Sequence, residues 1–175
     1  VNPIGVRACY DEGKRLSETI FFDHNRIYNT KIKIVRIFNT YGPNLIVSDG
    51  RVISNFITQA INNKDITVFG DGKQTRSFCY IDDLINGLMK MMGSKNNILG
   101  PINLGNPDEI TVKELANKII MITKSKSKII NLKLPKDDPL KRKPNIEKAY
   151  KLLKWTPKIS LDYGLKKTVD YFKTL

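Results

Sequence analysis

The chain has 175 residues, of which 41% are apolar and 27% are charged. This composition excludes a disordered tail, and no apolar run approaches the roughly 18 residues that a membrane span needs. Two cysteines, Cys9 and Cys79, cannot form a disulfide framework, so we expect a reducing, cytoplasmic compartment. The chain begins with Val1 and shows no pattern of a signal peptide, and we expect it to be part of a longer protein.

The net charge of +13 is concentrated in the last third of the chain. Residues 1–112 hold 13 basic and 11 acidic side chains, whereas residues 113–175 hold 17 basic and 6 acidic ones. This distribution leaves open a basic nucleic-acid-binding module. However, the chain has 23 Lys against 7 Arg, and recognition of phosphates and bases favours Arg. Drift in base composition explains a Lys, Ile and Asn bias without any ligand, so we expect no nucleic-acid partner.

The first predicted elements alternate between helix and strand. Apolar residues at near-helical spacing predict a helix over residues 8–29. The segment KIKIVRIF at residues 31–38 alternates and then becomes nearly continuously apolar, which predicts a buried parallel strand. A polar loop follows as far as Gly50, and a second helix is predicted over residues 52–61.

The middle of the chain contains a strong turn. Residues 66–69 are predicted to form a short strand, and the turn Gly70-Asp71-Gly72-Lys73 favours a hairpin that returns over residues 74–80. A helix is predicted over residues 81–92. The pair Asp82-Asp83 lies in its first turn, where carboxylates interact favourably with the helix dipole.

The last part of the chain continues the alternation. A strand is expected over residues 102–104, and Thr111 and Glu114 form a capping box that begins a helix ending near residue 123. The remaining predicted elements are a strand at 129–132, a Pro-rich loop at 135–144 and helices near 145–154 and 161–173. Alternating strands and helices indicate an α/β fold. None of these strands is followed by a glycine-rich dinucleotide-binding turn.

Tyr10 and Lys14 lie four residues apart near the start of the first predicted helix. Residues at this spacing share a helix face, and an ammonium beside a phenol favours the phenolate form. Such a pair can exchange a proton with a substrate hydroxyl near neutral pH. By itself this spacing is more typical of a solvated surface pair, so the catalytic interpretation depends on the neighbouring motifs.

Further motifs occur in a fixed order along the chain: VNPIGVRACYDEGK, RIFNTYGP, DGRVISNFI, VFGDGKQTRSFCYIDDL, INLGNPDEIT and DDPLKRKPNI. Together they resemble the extended short-chain dehydrogenase/reductase family. PIGVRACYDEGKR and DDPLKRKP more narrowly resemble its UDP-glucuronate decarboxylases. Val6, Phe69 and Asn145 depart from that pattern, but the Tyr, the Lys and the motif arginines are intact. Because the family's glycine-rich loop has no counterpart here, the chain resembles the C-terminal half of such an enzyme.

This resemblance implies the architecture and the activity. Residues 1–50 would end a Rossmann-like NAD-binding domain, and residues 51–175 would form mainly a smaller lobe that binds the UDP-sugar, with some segments returning to the first domain. The longer parent would use NAD to decarboxylate UDP-glucuronate to UDP-xylose through a UDP-4-keto intermediate, and this chain alone would be inactive. A UDP-sugar 4-epimerase and a nucleotide-glucose 4,6-dehydratase of the same family remain alternatives. The resemblance also implies a homodimer joined through the helix that carries Tyr10.

The resemblance assigns catalytic and cofactor roles to the first motifs. Tyr10 would be the general base toward the C4 hydroxyl, and Lys14 would tune it and hold the nicotinamide ribose. Tyr10, Thr40 and Arg51 would also contact the cofactor. With a single His and no metal-like Cys spacing, we expect no metal site.

The resemblance also assigns the contacts with the UDP-sugar. Asn39 would bind the UDP-sugar after the end of a strand, where α/β sites gather. Arg51 and Arg76 would face the diphosphate, and Arg142 would lie near the sugar carboxylate or the uridine. A guanidinium fork suits diphosphate and carboxylate groups.

Overall fold

The computed structural model describes residues 2–6, 8–133 and 141–175. The helices are α1 (Ala8–Tyr28), α2 (Val52–Ile61), α3 (Ile81–Met92), α4 (Val112–Thr123), α5 (Glu147–Leu153) and α6 (Leu161–Phe172). The strands are β1 (Val35–Ile37), β2 (Thr40–Tyr41), β3 (Ile66–Phe69), β4 (Thr75–Ser77), β5 (Cys79–Tyr80), β6 (Ile102–Leu104), β7 (Glu109–Thr111), β8 (Ile129–Leu132) and β9 (Lys141–Arg142). The predicted α/β class is confirmed.

The strands form small sheets in which parallel pairing predominates. β1 pairs with β6, β2 with β5 and β3 with β8, all in parallel. A further sheet has the order β7-β4-β9, with β7 antiparallel and β9 parallel to β4. Parallel neighbours require long crossover connections, and the connection from β1 to β6 includes both α2 and α3. β2, β7 and β9 were not predicted from the sequence.

The hairpin predicted around residues 70–73 does not form. The turn itself is present, since Gly70 and Gly72 have φ values of 70° and 76°, a conformation that glycine adopts without strain. However, β3 pairs with β8, from Ile66 opposite Ile129 to Phe69 opposite Leu132, and β4 joins a different sheet. The turn therefore redirects the chain between two sheets, because burying one face of β3 against the core outweighs local pairing.

β1 is shorter than the strand predicted over residues 31–38. Ile32 and Ile34 are buried, as the alternation predicts, and the backbone of Ile34 already bonds to Leu99 and Ile102. Beyond them the prediction of a buried strand is wrong, because Ile37 is 55% exposed.

Lys33 ties β1 to the end of α3. Its ammonium lies 2.7–3.2 Å from four oxygens, the carbonyl and hydroxyl of Ser94 and the carbonyls of Lys95 and Ile98. The three carbonyls belong to the loop that follows α3, and the Lys95 carbonyl also accepts from the Ile98 backbone N–H at 2.9 Å. The Lys33 ammonium adds a charged donor to these oxygens and holds the loop against the chain just before β1.

Two clusters of buried apolar side chains form the core. The first joins α2, α4 and α6 to β3 and includes Ile57, Ile66, Leu115, Leu165 and Val169. The second joins α3 and α5 to β6 and includes Leu84, Met91, Leu104, Leu153 and Trp155. Burial of such side chains stabilises a fold by about 1.5–3 kcal/mol each.

Buried polar contacts fix how α3, α5 and α6 meet. The Trp155 indole donates to the Asp83 carbonyl oxygen at 2.9 Å. One carboxylate oxygen of Asp83 accepts from the backbone N–H groups of Lys158 and Ile159, at 3.0 and 2.9 Å. Asp83 thus opens α3, as predicted, and also anchors the segment that leads into α6.

The predicted capping box at the start of α4 is confirmed. The Thr111 hydroxyl accepts from the Glu114 backbone at 3.1 Å, and the Glu114 carboxylate accepts from the Thr111 backbone at 2.9 Å. These bonds hold the pKa of the Glu114 carboxyl below its usual value. In the ranges that the structure describes, no helix combines the length and the apolar character needed to cross a bilayer.

Candidate functional site

Tyr10 and Lys14 lie together on one face of α1. The Lys14 ammonium is 5.6 Å from the centroid of the Tyr10 ring, which is within the range of a cation–π contact. Tyr10 is 64% exposed. The spacing in the sequence therefore produces the expected pair, and both groups are accessible from outside the helix.

The helix that carries this pair has little support within the described chain. None of its 21 residues is buried. Its apolar side chains are exposed at several positions: Leu16, Ile20, Phe21, Ile27 and Tyr28. In folded proteins, most of the stability of a helix comes from packing of its apolar face against other elements. This helix has such a face without a partner among the described residues.

An ion pair connects α1 to β1. The Arg36 guanidinium donates to both carboxylate oxygens of Glu18, at 2.7 and 2.6 Å. This fork holds the pKa of Glu18 below its usual value and raises that of Arg36. Arg36 thereby links the helix that carries Tyr10 and Lys14 to the strand that precedes Asn39.

Asn39 and Thr40 lie at the carboxyl end of β1, as predicted. The Asn39 amide donates to the Ser77 carbonyl oxygen at 3.3 Å, and the Asn39 carbonyl accepts from the Cys79 backbone at 2.8 Å. The Thr40 hydroxyl donates to the Phe38 carbonyl oxygen at 2.9 Å. Asn39 is therefore fixed beside the segment that follows Arg76.

Arg76 and Arg142 are cross-strand partners. They stand opposite one another in the parallel pair of β4 and β9, and paired residues of neighbouring strands project from the same face of a sheet. Both side chains are partly buried. The Ser77 hydroxyl donates to the Arg142 carbonyl oxygen at 3.3 Å. The structure thus brings together Asn39, Arg76 and Arg142, which lie far apart in the sequence.

Arg51 is engaged with its own loop. It is the residue before α2, and its guanidinium lies 3.4 Å from the Asp49 carboxylate, with 66% of the side chain exposed. Its backbone N–H also donates to Asp49, as does the Ser54 hydroxyl. Within the described residues, no hydrogen bond or ion pair joins Arg51 to Arg76 or Arg142. Most of the predicted loop over residues 135–144, including the Asp-Asp-Pro part of its motif, lies outside the described residues.

Sequence reasoning missed a polar network behind the arginine pair. The Glu109 carboxylate accepts from the Thr75 hydroxyl at 2.7 Å and lies 3.6 Å from the Lys143 ammonium. These residues come from β7, β4 and the end of β9. No short-range sequence pattern links these three residues. Glu109 lies in the motif INLGNPDEIT and Lys143 in the motif DDPLKRKPNI.

Two buried groups lie beneath the strand ends. Burial raises the pKa of the Cys79 thiol to about 12 and raises that of the Tyr41 hydroxyl as well. The Tyr41 hydroxyl donates to the Leu161 carbonyl oxygen at 3.2 Å. Both groups are therefore neutral near pH 7, and their contacts serve packing rather than acid–base chemistry.

These features define a class of protein. The model of the NAD dependent epimerase/dehydratase family matches residues 1–105. The chain therefore belongs to this family. The α/β strand pairing, the Tyr10 and Lys14 pair and the position of Asn39 agree with the resemblance found in the sequence, and the expected cofactor, NAD, is confirmed at the level of the family.

Similar proteins give a narrower comparison. The chain is 51% identical over 173 residues to UDP-glucuronic acid decarboxylase 4 of Arabidopsis thaliana, covering 99% of this chain and 39% of the relative. It is 49% identical over 172 residues to UDP-glucuronic acid decarboxylase 1 of Danio rerio, covering 98% of this chain and 41% of the relative. The predicted resemblance to this group is confirmed. The chain spans less than half the length of these relatives.

Solved structures agree on the fold. An epimerase from Methanothermobacter thermautotrophicus superposes with a TM-score of 0.92 at 29% identity, covering 98% of this chain and 52% of the other. A UDP-glucuronic acid 4-epimerase from Bacillus cereus, in complex with UDP-glucuronic acid and NAD, gives a TM-score of 0.83 at 32% identity. That comparison covers 90% of this chain and 50% of the epimerase.

Proposed function

We propose that this chain forms the UDP-sugar-binding part of an NAD-dependent UDP-glucuronate decarboxylase. The observation that carries the proposal is the identity of about 50% to such decarboxylases over nearly the whole chain. The identity to the UDP-glucuronic acid 4-epimerase of known structure is lower, at 32%. The arrangement of Asn39, Arg76 and Arg142 supports the proposal because it supplies polar and cationic groups in one place.

The exposed pair on α1 fits the cofactor and the chemistry. NAD, when bound, would accept the hydride from C4 of the sugar and later return it. Tyr10 would take the proton from the C4 hydroxyl, and Lys14 would favour the phenolate and donate to a ribose hydroxyl. Thr40 would contact the cofactor at the end of β1. The 64% exposure of Tyr10 leaves its hydroxyl accessible to both molecules.

The carboxylate of the substrate explains the second step. A ketone at C4 is β to the C6 carboxylate, so the electrons of the C5–C6 bond flow into the ketone as CO2 leaves. A proton then replaces CO2 at C5, and return of the hydride and a proton to C4 gives the pentose.

Arg76 and Arg142 would hold the diphosphate together. This assignment differs from the sequence-based expectation that Arg142 lies near the sugar carboxylate or the uridine, because Arg142 is the strand partner of Arg76. A guanidinium binds phosphate oxygens through two parallel hydrogen bonds, and two guanidinium groups in register match two phosphates in sequence. Like charges directly opposite destabilise a strand pair, and a shared anion offsets that repulsion. Asn39, held against the Ser77 carbonyl, would orient the sugar side of the ligand. Arg51 would be a further contact once it separates from Asp49.

The test uses the full-length parent with NAD and UDP-glucuronate. We expect release of CO2 and formation of a UDP-pentose. A product that keeps six sugar carbons would instead favour the 4-epimerase, the candidate suggested by the Bacillus cereus structure. Tyr10→Phe should abolish turnover. Tyr28→Phe, also an exposed tyrosine of α1, is the matched control and should leave turnover unchanged.

The exposed apolar face of α1 supports the proposed homodimer. Leu16, Ile20 and Ile27 lie along one side of the helix and are 47–69% exposed. A second copy of the parent would cover part of this face. Analytical ultracentrifugation of the parent should give a dimer, and Leu16→Glu should shift it toward the monomer. A monomeric wild-type parent would reject this contact.

A further inference from the structure

The sheet that carries the two arginines has distinct faces. β4 lies between β7 and β9, with Arg76 opposite both Ile110 and Arg142, and Ser77 opposite Glu109. Successive residues of a strand point to opposite faces. Arg76 and Arg142 therefore share one face, and Glu109 projects from the other.

On that other face, Glu109 connects the strands of the sheet. One carboxylate oxygen accepts from the Thr75 hydroxyl of β4 at 2.7 Å. The other lies 3.6 Å from the ammonium of Lys143, the residue directly after Arg142. The Glu109 side chain is only 19% exposed, so solvent screens this ion pair less than a surface pair.

β9 is very short. It consists of two residues, and a strand this short makes few ladder hydrogen bonds. Its pairing also sets Arg142 directly opposite Arg76, which is unfavourable for like charges. A tether at the end of β9 therefore has a large influence on where Arg142 is held.

We propose that Glu109 is a positioning residue for anion binding. By holding Thr75 and Lys143 on one face of the sheet, it keeps β9 in register with β4, so that Arg76 and Arg142 present their guanidinium groups to a single anion on the opposite face. That this anion is a nucleotide diphosphate rests on the proposed function. The positioning role requires only that the arginine pair binds a diphosphate group.

A positioning role for Glu109 and a purely electrostatic role predict opposite changes in anion affinity when its charge is removed. Removing a carboxylate near a bound anion removes repulsion and strengthens binding. Removing a positioning residue displaces Arg142 and weakens binding. Glu109→Gln therefore separates the two by the sign of the change in affinity.

The experiment is calorimetric titration of the full-length parent with two probes, inorganic pyrophosphate and UDP. We expect Glu109→Gln to weaken both by about tenfold, within the range of coupling between contacting residues. In an Arg142→Ala background the same substitution should have no further effect, because the group that it positions is gone. A residue that only stabilised the fold would not show this dependence on Arg142.

Two further variants complete the test. Asp170→Asn removes a carboxylate charge at an exposed position of α6 and is the matched control, with affinity unchanged or slightly tighter. Lys143→Gln breaks the link from its other end on a largely exposed side chain, so it keeps the test usable if Glu109→Gln unfolds. It should weaken both probes, and the double variant should bind like either single variant.

The outcomes separate the two proposals. Suppose that wild type binds UDP, but Glu109→Gln or Lys143→Gln leaves the affinity for UDP and pyrophosphate unchanged or tighter. The positioning role is then wrong and the proposed function stands. If pyrophosphate binds with the expected dependence on Glu109 but UDP binds no better than pyrophosphate, the positioning role stands and the nucleotide assignment fails. Absence of binding of either probe to wild type would overturn both.

Discussion

Helix α1 and the remainder of the described chain are stabilised in different ways. The remainder has two apolar clusters with side chains such as Ile57, Leu104 and Trp155 that are at most 1% exposed. α1 has no buried residue along its whole length and is tied to β1 by the fork between Glu18 and Arg36. The proposed proton-transfer pair thus lies on the less supported region, and the proposed diphosphate site on the better supported one. Anion binding and turnover should therefore be separable.

The largest expected effect is in the second apolar cluster. Trp155→Ala should lower the free energy of unfolding by about 3–5 kcal/mol, because it leaves a cavity and removes the bond to the Asp83 carbonyl. Urea denaturation measures this change. Leu152→Ala, at a position that is 47% exposed, is the control and should change stability by less than about 0.5 kcal/mol. Similar losses for both variants would mean that this cluster does not stabilise the chain.

The next effect concerns the anchor between α3 and the segment before α6. Asp83→Ala should lower the free energy of unfolding by about 3 kcal/mol, because the two partly buried backbone N–H groups of Lys158 and Ile159 lose their charged acceptor. Asp82→Ala, on the neighbouring exposed residue, is the matched control. It should lose only a few tenths of a kcal/mol from the helix dipole. If both variants lost the same free energy of unfolding, Asp83 would contribute only through the helix dipole, and its bonds to Lys158 and Ile159 would not stabilise the fold.

A smaller, pH-dependent effect is expected from the ion pair between Glu18 and Arg36, which links α1 to β1. The folded-state pKa of Glu18 is lowered by Arg36, so this link is fully present above the usual carboxyl pKa and is lost as the pH falls through the lowered value. The ion pair is partly exposed and is worth less than about 1 kcal/mol. NMR titration of the Arg36 Nε–H proton should follow this transition. Glu18→Gln should abolish it, whereas Glu12→Gln should leave it unchanged.

The smallest effect tests the comparison directly. Leu16→Ala and Ile20→Ala should each change the free energy of unfolding of this chain by less than about 0.5 kcal/mol, since neither side chain is packed. Ile57→Ala, which truncates a fully buried side chain, should cost about 2–5 kcal/mol. A loss above about 1 kcal/mol at Leu16 would show that α1 has a packed face in the isolated chain.

Local signals predicted the elements better than their pairing. The capping box of Thr111 and Glu114 and the helix that carries Tyr10 and Lys14 depend on residues close in sequence, and both are confirmed. The hairpin after β3 was wrong because its partner, β8, lies about sixty residues further along the chain. β7 and β9 were missed because their three and two residues carry no periodicity.

The same limit applies to the candidate site. Family resemblance singled out Arg76 and Arg142 separately and assigned them to different parts of the ligand, but only the strand register shows that they are neighbours. Glu109 was not considered, because its partners Thr75 and Lys143 are separated from it by more than thirty residues. Sequence patterns therefore predicted the residue types of the site, and tertiary structure determined their grouping.

The contact made by Lys33 has a consequence for how the end of α3 depends on solution conditions. Four oxygens around one ammonium form the kind of surroundings that a bound potassium ion would need. A dissolved ion occupies such a site only in proportion to its concentration, whereas the Lys33 cation is covalently attached and has a high effective concentration at all times. The loop after α3 should therefore keep its conformation whatever monovalent salts surround the protein.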